Sequence, residues 1–547
     1  MGTQNLDIDG QGNVAVQIQG DGNSVTITVG DTSLVLTKRH ELRFEPEAPL
    51  DLLLPENEVV PLVGRDDVRA DLDAWLADDA PISVRLVTGE GGSGKTRLAI
   101  DLCRGAEAGG WTAGFAATEE MARFHGQTNV EAWRPDKPVL VVVDYAATKG
   151  PVLQRWLTGL ARMRSLPEAG KLRLLLLERH GSRDGGWWQA LTQFGGIEAR
   201  RLQRMIDPPE PIGLMPIAAA DDRRRVLAAV MAAASALDGR EPPLAPPEPG
   251  ADPWFDRRLA DPSADNSPLL LHMAALAAVQ ARQAHKLDRS RTELALELAD
   301  QEILRLRKLA ENRGVGPALF QHLVAAVTVE GGVDGEGLQR LLTEEGAALN
   351  APMSIDDVHA RRNALLAALT PPERHGAAPA AAKLVDAVRP DLVGEALVLR
   401  TWEPEPDQFA RVDRCWVRAP AATAEALVRL GQDFGTPTAA HAPDPTPIRW
   451  LDHCIDRVDD LAGLQTLADA MPQATVNLRV QAERALSRLI EVLESATEPD
   501  GLRIVLTRGN RALRLNGLGR PDLARADELR VRDAARELAR HDADAFA

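Results

Sequence analysis

The sequence predicts a parallel α/β domain followed by a mainly α-helical body, with a short β-rich segment at the N-terminus. Three patterns in the 547 residues support this order. Polar and apolar residues alternate near the N-terminus, as they do in half-buried strands. Strand-like and helix-like runs alternate from residue 61 to residue 216, which is typical of a parallel sheet. From residue 217 onward, apolar residues recur mainly with the helical period.

The composition limits the classes of function and partner. A chain of 547 residues is too long for one core, so we expect several domains. The formal net charge of -17, without a dense block of lysine and arginine, argues against a general surface for nucleic acid or anionic membranes. A local basic groove stays open as an alternative. No apolar run approaches the ~20 residues of a membrane span, and the first residues lack a signal-peptide pattern. We therefore expect a cytoplasmic protein without a membrane partner.

Residues 1–45 contain two turn-and-strand units. The letters GQGN at 10–13 recur as GDGN at 20–23, and alternating apolar residues follow each of them: Val14, Val16, Ile18, Val25, Ile27 and Val29. So few short strands cannot bury a core alone. We therefore expect this block to mediate homo-oligomer formation or to recruit a protein effector. The next segment, 46–60, is rich in proline and acidic residues and is predicted to be a linker.

Four strands are predicted in the α/β domain, which we place at 61–216. They are Ser83–Val87, Trp111–Ala116, Val139–Val143 and Leu172–Leu177. The last two runs are apolar almost without interruption, which indicates central strands that are covered on both faces.

A phosphate-binding loop is predicted between the first strand and the helix after it. The eight residues Gly89, Glu90, Gly91, Gly92, Ser93, Gly94, Lys95 and Thr96 match the pattern G-x-x-x-x-G-K-[ST]. Glycines let backbone N–H groups close around phosphates, Lys95 reaches the β- and γ-oxygens, and Thr96 offers a hydroxyl to Mg²⁺. The helix that begins at Lys95 adds its positive end, and Arg97 is included among the nucleotide-binding candidates.

Two further strand ends carry charged candidates. The run that ends in Asp144 places a carboxylate where it can hold Mg²⁺ beside Thr96. The run that ends in Glu178 and Arg179 places an arginine at the same edge of the sheet. Arg179 is predicted either to sense the γ-phosphate or to hold a neighbouring strand end. The predicted catalytic set is thus Lys95, Asp144 and Arg179, and the predicted metal ligands are Thr96 and Asp144.

Together these motifs resemble the STAND class of P-loop ATPases, the signalling switches related to NACHT and NB-ARC proteins. The resemblance covers residues 61–402 and adds three weaker motifs, PLVGRDDVRADL, IGLMPIAAADDRRRVLAAV and NSPLLLHMAAL. It implies binding of ATP or ADP with Mg²⁺, with Val63, Gly64 and Arg65 on the adenine side and Pro268 against the base. It also implies a helical and winged-helix-like domain at 217–402. The function it implies is a bacterial signalling switch, as in defence against phage.

Two departures from that family bear on activity. An acidic residue shortly after the metal-binding aspartate commonly orients the attacking water, but Asp144 is followed by Tyr145, Ala146 and Ala147. We therefore expect a slow ATPase that acts mainly as a switch, with Glu178 or Glu90 as the substitute base. The segment 384–398 also lacks the histidine that reads ADP in NB-ARC proteins.

The C-terminal region, 403–547, is predicted to be a helical sensor domain. Its last part resembles one tetratricopeptide (TPR) hairpin, with Gly509, Asn510 and Ala512 on the first helix. Gly519 lies in the predicted turn and Ala524 in the second helix. Small residues at these places are expected to let the two helices approach closely. We expect these helices to contact a trigger or an effector.

Two alternative functions stay open on the sequence alone. The chain can be an ATPase-type transcriptional regulator that binds DNA through its helical region, for which DDRRRVLAAV, 221–230, is the best basic helix. It can also be a scaffold in which a bound nucleotide is structural. Salt-dependent DNA binding identifies the first alternative, and the absence of turnover and nucleotide exchange identifies the second.

Overall fold

The computed structural model describes most of the chain in two compact units. The described residues are 15–16, 27–28, 34–128, 130–163, 170–183, 186–192, 196–206, 208–352, 354–369, 383–435, 444–472, 477–496 and 500–541. The first unit comprises Met1–Arg43 and Leu62–Met215, and the second comprises Phe44–Pro61 and Pro216–Ala547.

Where the structure describes the N-terminal block, two very short strands pair with each other. Strand β1, Ala15–Val16, pairs antiparallel with β2, Ile27–Thr28, so that Ala15 lies opposite Thr28. Val16 and Ile27 are members of the alternating set seen in the sequence. The other residues of that set, and the Gly/Asn turns, lie outside the described residues.

A five-stranded parallel sheet forms the centre of the first unit. Its strands in chain order are β3 Ile82–Thr88, β4 Thr112–Phe115, β5 Val139–Val143, β6 Leu172–Glu178 and β7 Ile212–Gly213. Their order across the sheet is β4-β5-β6-β3-β7. The parallel α/β class and all four predicted strands are confirmed. The fifth strand was not predicted because two residues carry no periodicity; it is defined by its pairing with the end of β3.

Both faces of the sheet are buried, as the apolar runs predict. Val139, Val141 and Val143 face one core, which also contains Trp156 and Phe124. Leu140 and Val142 face the opposite core, together with Leu98 and Leu102. Helices supply both layers: α1 Asp66–Ala77, α2 Lys95–Ala108, α3 Thr118–Thr128, α4 Gly150–Arg162, α5 Gly186–Thr192 and α6 Gly196–Met205. Consecutive side chains of a strand point to opposite faces, so an unbroken apolar run fills both cores.

The second unit is helical, as its sequence period predicts. Its helices are α7 Ala220–Leu237, α8 Pro253–Ala260, α9 Pro268–Ala281, α10 Arg291–Asn312, α11 Pro317–Val329, α12 Gly335–Ala348, α13 Ile355–Leu369, α14 Asp391–Trp402, α15 Gln408–Arg418, α16 Pro420–Asp433, α17 Thr446–Arg457, α18 Leu461–Ala470, α19 Arg479–Ser495, α20 Gly501–Gly517 and α21 Pro521–His541. An isolated antiparallel bridge joins Val333 to Val385. The winged-helix-like and TPR-like subdivisions stay predictions.

The segment predicted to be a linker, 46–60, is packed against the second unit. It contains a 3-10 turn at Pro49–Leu53, and its leucines at 50, 52 and 53 are buried. This turn contacts α7 and α9. At least one acidic residue of this segment forms an ion pair within the second unit: Glu56 accepts a hydrogen bond from Arg389 at 3.0 Å.

A buried ionic network joins the middle helices of the second unit. His322 on α11 pairs through Nε2 with Glu345 on α12 at 2.7 Å, and its Nδ1 accepts from Trp402 Nε1 at 3.1 Å. Arg418 pairs with Glu345 and with Glu330 at 2.6 and 2.7 Å. Each buried charge thus has a partner, as burial of charge requires.

The C-terminal hairpin of α20 and α21 has the predicted turn, with Gly519 at a φ of 69°. Ala512 and Ala524 are buried between its helices together with Leu515. Gly509 was predicted to let the two helices approach closely. This prediction is wrong, because a Cβ added at Gly509 meets nothing within 4 Å. Its small size is therefore not needed for the approach of the two helices.

Candidate functional site

The phosphate loop lies between the end of β3 and the start of α2, as the sequence predicts. Gly92 and Gly94 have φ angles of 80° and 92°, which other L-residues rarely adopt. A Cβ on Gly89 would lie 2.6 Å from Ser93 Oγ and 3.2 Å from the carbonyl oxygen of Leu214. Gly92 and Gly94 are thus required by backbone conformation, and Gly89 leaves little space for a side chain. The loop presents backbone where side chains would block a phosphate.

Lys95 turns back over this loop. Its ammonium donates to the carbonyl oxygens of Gly89 at 2.5 Å and Glu90 at 3.1 Å. The nearby hydroxyl of Ser93 is buried and has no hydrogen-bond partner. A buried polar atom without a partner is costly unless a ligand satisfies it. The cation and the unsatisfied hydroxyl both fit an anionic ligand held by the loop.

Thr96 and Asp144 meet at the adjacent end of the sheet. Thr96 Oγ1 donates to Asp144 Oδ2 at 3.0 Å, and Asp144 Oδ1 accepts from the amide of Tyr145 at 3.1 Å. Lys149 donates to the carbonyl oxygen of Asp144 at 2.7 Å, which fixes the backbone there. A hydroxyl and a carboxylate in contact are oxygen donors of the kind that Mg²⁺ prefers. The predicted metal pair therefore lies together and fits Mg²⁺.

Glu178 occupies the space beside Ala147, where an acidic residue is missing from the sequence. Its Oε2 accepts from the amide of Ala147 at 2.8 Å, and its Oε1 accepts from the amide of Arg179 at 2.6 Å. β6 lies between β3 and β5, so Glu178 stands between the phosphate loop and Asp144. The amide of Gly89 donates to the carbonyl oxygens of Glu178 and Arg179, at 3.2 and 3.3 Å. Arg179 thus borders the loop, and its contact with a phosphate stays a prediction.

Of the three residues predicted to line the adenine side, Arg65 contacts the phosphate loop. Arg65 is buried and donates through Nη2 to the carbonyl oxygen of Ser93 at 2.9 Å and through Nη1 to that of Gly64 at 3.2 Å. Burial lowers the pKa of its guanidinium. Gly64 has a φ of 64°, so the chain turns sharply before α1. Arg65 therefore supports the loop, and a contact of Val63, Gly64 or Arg65 with a base stays a prediction.

The two other residues predicted to bind nucleotide, Pro268 and Arg97, each have neighbours within the protein. Pro268 is the first residue of α9 in the second unit, where Ser267 caps the helix by accepting from the amide of Leu270. Proline is common at this position without any ligand. Arg97 lies on α2 next to the loop, and its Nη1 is 3.9 Å from Asp101 Oδ1. A role of either residue in nucleotide binding stays a prediction.

Arg39 joins the site although sequence reasoning placed it in the N-terminal block. Its Nη1 lies 3.6 Å from Asp144 Oδ2, and its guanidinium stacks on the ring of Phe115 at 4.9 Å. The signal available in the sequence was the basic run Lys38, Arg39 and His40 directly after the alternating segment. No periodicity tied that run to Asp144.

The helix proposed for DNA binding has few free cations. In α7, Arg223 is buried and donates to the carbonyl oxygens of Ile217 and Leu259. Arg224 pairs with Asp256, and the exposed Arg225 pairs with Asp222 on the same helix. The arginines of the DDRRR motif are thus occupied within the second unit.

Comparisons with known proteins leave the family open. No protein-family model matches the chain, and no curated protein matches it. Among solved structures, the chain is similar to domain III of the replication initiation protein DnaA from Thermotoga maritima, with 15% identity and a TM-score of 0.27 over 45% of this chain and 96% of that domain. A similarity at that score carries no argument about function. None of the described helices is long and apolar enough to cross a membrane.

The molecule itself thus supports a coarse assignment. A five-stranded parallel sheet carries a phosphate loop that matches the P-loop NTPase motif, and a mostly helical body follows it. The fold and the motif fit a P-loop NTPase, and no family within that class is assigned.

Proposed function

We propose that this chain binds ATP or ADP with Mg²⁺ at residues 89–96 and acts as an ATP-dependent signalling switch. One observation carries the proposal: the hydroxyl of Thr96 lies 3.0 Å from the carboxylate of Asp144, directly beside the loop that Lys95 covers. A chance match to the loop motif would not bring an oxygen ligand from β5 to this position. The cluster combines anion-binding groups with metal-binding groups, as a metal-bound triphosphate requires.

Each residue has a separate part in this binding. Backbone N–H groups of the loop and the N-terminus of α2 face the phosphates. The Lys95 ammonium leaves the carbonyl oxygens of Gly89 and Glu90 and contacts the β- and γ-oxygens. Thr96 and Asp144 hold Mg²⁺, which supplies positive charge to the phosphate oxygens. Arg65 stabilises the conformation of the loop through its hydrogen bond to the carbonyl oxygen of Ser93.

Hydrolysis is proposed to be slow. Ala147 has no basic group, and the nearest carboxylate, Glu178, accepts backbone N–H bonds on both oxygens. A carboxylate has further lone pairs, so Glu178 can still orient a water molecule. The two backbone hydrogen bonds hold the Glu178 carboxylate in place whether or not a substrate is bound. We therefore expect bound nucleotide to persist and turnover to be slow.

The finer parts of the proposal rest on the order of the sequence motifs and on the strand pattern of residues 1–45. These are membership of the STAND class, a bacterial role in defence against phage, and recruitment of an effector or formation of a homo-oligomer. The engaged arginines of α7 disfavour the alternative of a DNA-binding regulator. A scaffold with a structural nucleotide differs from a switch only in exchange and turnover.

The test is nucleotide binding by the full-length chain. Calorimetry with ATP and with ADP, each with Mg²⁺ and with a chelator, should show binding that strengthens with the metal. Absence of binding by both nucleotides, after any copurified nucleotide has been removed, would overturn the proposal. Exchange of bound ADP for ATP distinguishes a switch from a scaffold. DNA binding that weakens with increasing salt would support the alternative of a transcriptional regulator.

A further inference from the structure

Residues 34–43, which we call the strap, are docked on the edge of the parallel sheet. Thr37 exchanges two backbone hydrogen bonds with Phe115 of β4, at 2.8 and 2.9 Å. A Cβ on Gly114 would lie 2.9 Å both from the carbonyl oxygen of Thr37 and from Leu36 Cβ, so the close approach requires glycine at this position. Leu34 and Leu36 pack against the core on that face of the sheet.

A second set of contacts ties the strap to α2. His40 Nε2 lies 2.7 Å from Glu107 Oε2, and Lys38 Nζ lies 3.1 Å from Glu107 Oε1 and 3.2 Å from Glu41 Oε1. Hydrogen bonds to Glu107 and Glu41 raise the pKa of Lys38. Burial raises the pKa of Glu107, but the bonds from His40 and Lys38 outweigh it and lower that pKa overall.

This cluster resembles a metal site only superficially. The ligand atoms of His40, Glu41 and Glu107 lie within 4.8 Å of one another. The Lys38 ammonium already bridges the two carboxylates and occupies the place of a cation. The cluster is therefore assigned to docking of the strap.

The docked strap brings Arg39 to the metal-binding aspartate. The Arg39 guanidinium lies 3.6 Å from Asp144 Oδ2, the same oxygen that accepts the hydrogen bond from the Thr96 hydroxyl. Both side chains are 18% exposed, so the pair is only partly screened by water. A dication at this carboxylate would face a fixed positive charge within a few ångströms, and like charges at such distances repel strongly.

We propose that Arg39 is a positioning residue of the nucleotide site, which balances Asp144 when no metal is bound and is displaced from it by Mg²⁺. This inference rests on the proposed binding of Mg²⁺ and nucleotide. Because coupling between two binding equilibria is reciprocal, Mg²⁺ loosens the strap and the docked strap weakens Mg²⁺ binding by the same factor. In the sequence, five residues, 29–33, separate the strap from strand β2.

The experiment measures how ADP binding to the full-length chain depends on Mg²⁺. In Arg39→Ala the Mg²⁺ concentration for half-maximal enhancement of ADP binding should be about fivefold lower than in the wild type, the effect of removing one partly exposed ion pair. Arg39→Lys should lie near the wild type. Lys38→Ala is the matched comparison: it removes the contact with Glu107 but keeps both the Arg39 charge beside Asp144 and the backbone pairing of Thr37 with Phe115, so its midpoint should lie closer to the wild type than that of Arg39→Ala.

Hydrogen exchange supplies a second readout. In the wild type with saturating ADP, Mg²⁺ should speed exchange of the Thr37 and Phe115 amides, which bond across the strap and β4. Lys38→Ala should still respond to Mg²⁺, whereas Arg39→Ala should not. Circular dichroism verifies that each variant is folded.

The outcomes separate this inference from the proposed function. An unchanged or higher Mg²⁺ midpoint in Arg39→Ala, or unchanged exchange in the wild type, overturns the role of Arg39 while nucleotide binding stands. Absence of binding of both ADP and ATP by the wild type at every Mg²⁺ concentration overturns the proposed function, and the role of Arg39 with it.

Discussion

Thr96 Oγ1 lies 3.0 Å from Asp144 Oδ2, although 48 residues separate them along the chain. Thr96 follows β3 and Asp144 follows β5, and β6 lies between these two strands in the sheet. The contact spans one intervening strand, and the loop 89–94 connects the end of β3 to Thr96 in the first turn of α2. The carboxyl ends of parallel strands are where ligands bind in open α/β sheets.

Lys95→Ala should weaken binding of ATP and ADP by about 30-fold or more. The lysine supplies charge-assisted hydrogen bonds to phosphate, each of which contributes roughly 1.5–3 kcal/mol. Lys137→Ala removes an exposed lysine of the same domain outside the site and serves as the control. Equal affinity in the two variants, measured by calorimetry, would show that the loop is not the nucleotide site.

Asp144→Asn should remove most of the dependence of nucleotide binding on Mg²⁺. The amide can still accept from Thr96, so the local structure is kept, but it loses the charge that holds a hard cation. We expect affinity in the presence of a chelator to change less than twofold and the enhancement by Mg²⁺ to fall at least about tenfold. A variant with full enhancement by Mg²⁺ would exclude Asp144 as a metal ligand.

Turnover of ATP should be well below the enzyme median of ~10 per second. Ala147→Glu should raise the rate, because it restores an acidic residue near the attacking water. Ala147→Gln has the same size without a base and is the control. The amide of Ala147 donates to Glu178 Oε2, so the introduced carboxylate would lie near that of Glu178. A wild-type rate at the median, or equal rates in both variants, would contradict the assignment.

The second unit should lose stability as the pH falls from about 6.5 to 4. Burial lowers the pKa of His272 to about 4, although its backbone hydrogen bond with Leu52 acts in the opposite direction. The unfolded chain therefore binds a proton that the folded chain excludes, and stability present above pH 6.5 is lost toward pH 4, by up to about 3 kcal/mol. His272→Gln should flatten this part of the thermal-unfolding profile.

The difference between the pH profiles of the wild type and His272→Gln isolates the contribution of His272 to stability. His322, whose pKa burial also lowers, contributes to the loss in both of them. Parallel pH profiles for the wild type and His272→Gln would show that His272 is protonated in the folded protein.

Deletion of residues 1–33 should abolish self-association or effector recruitment while nucleotide binding is retained. In the described residues, β1 and β2 pair with each other over two residues each, which is too little to bury a core. A cut after residue 45 would also remove the strap with Arg39, so the shorter deletion is the informative one. Unchanged light scattering and unchanged partner capture by the truncated protein would assign this block a capping role only.

The sequence by itself determined the features that depend on neighbouring residues. The glycines and lysine of residues 89–96 specify a phosphate loop because their conformation and chemistry are local. The runs at 139–143 and 172–177 specify buried strands because an unbroken apolar run fills both faces of a sheet. The helical period specified the second unit in the same way. These patterns also predicted that Asp144 and Glu178 lie at strand ends, but they did not predict which residues contact them in space.

The tertiary structure decided which distant residues meet. It placed Arg39 on Asp144 and Glu178 on the amide of Ala147, contacts that depend on strand order and on docking of the strap at β4. It also buried the leucines of the segment 46–60 against α7 and α9 and turned Arg223 inward. Strand order and docking are set by the total burial that the folded chain achieves, to which each of these residues adds only a small part. No local pattern therefore records them.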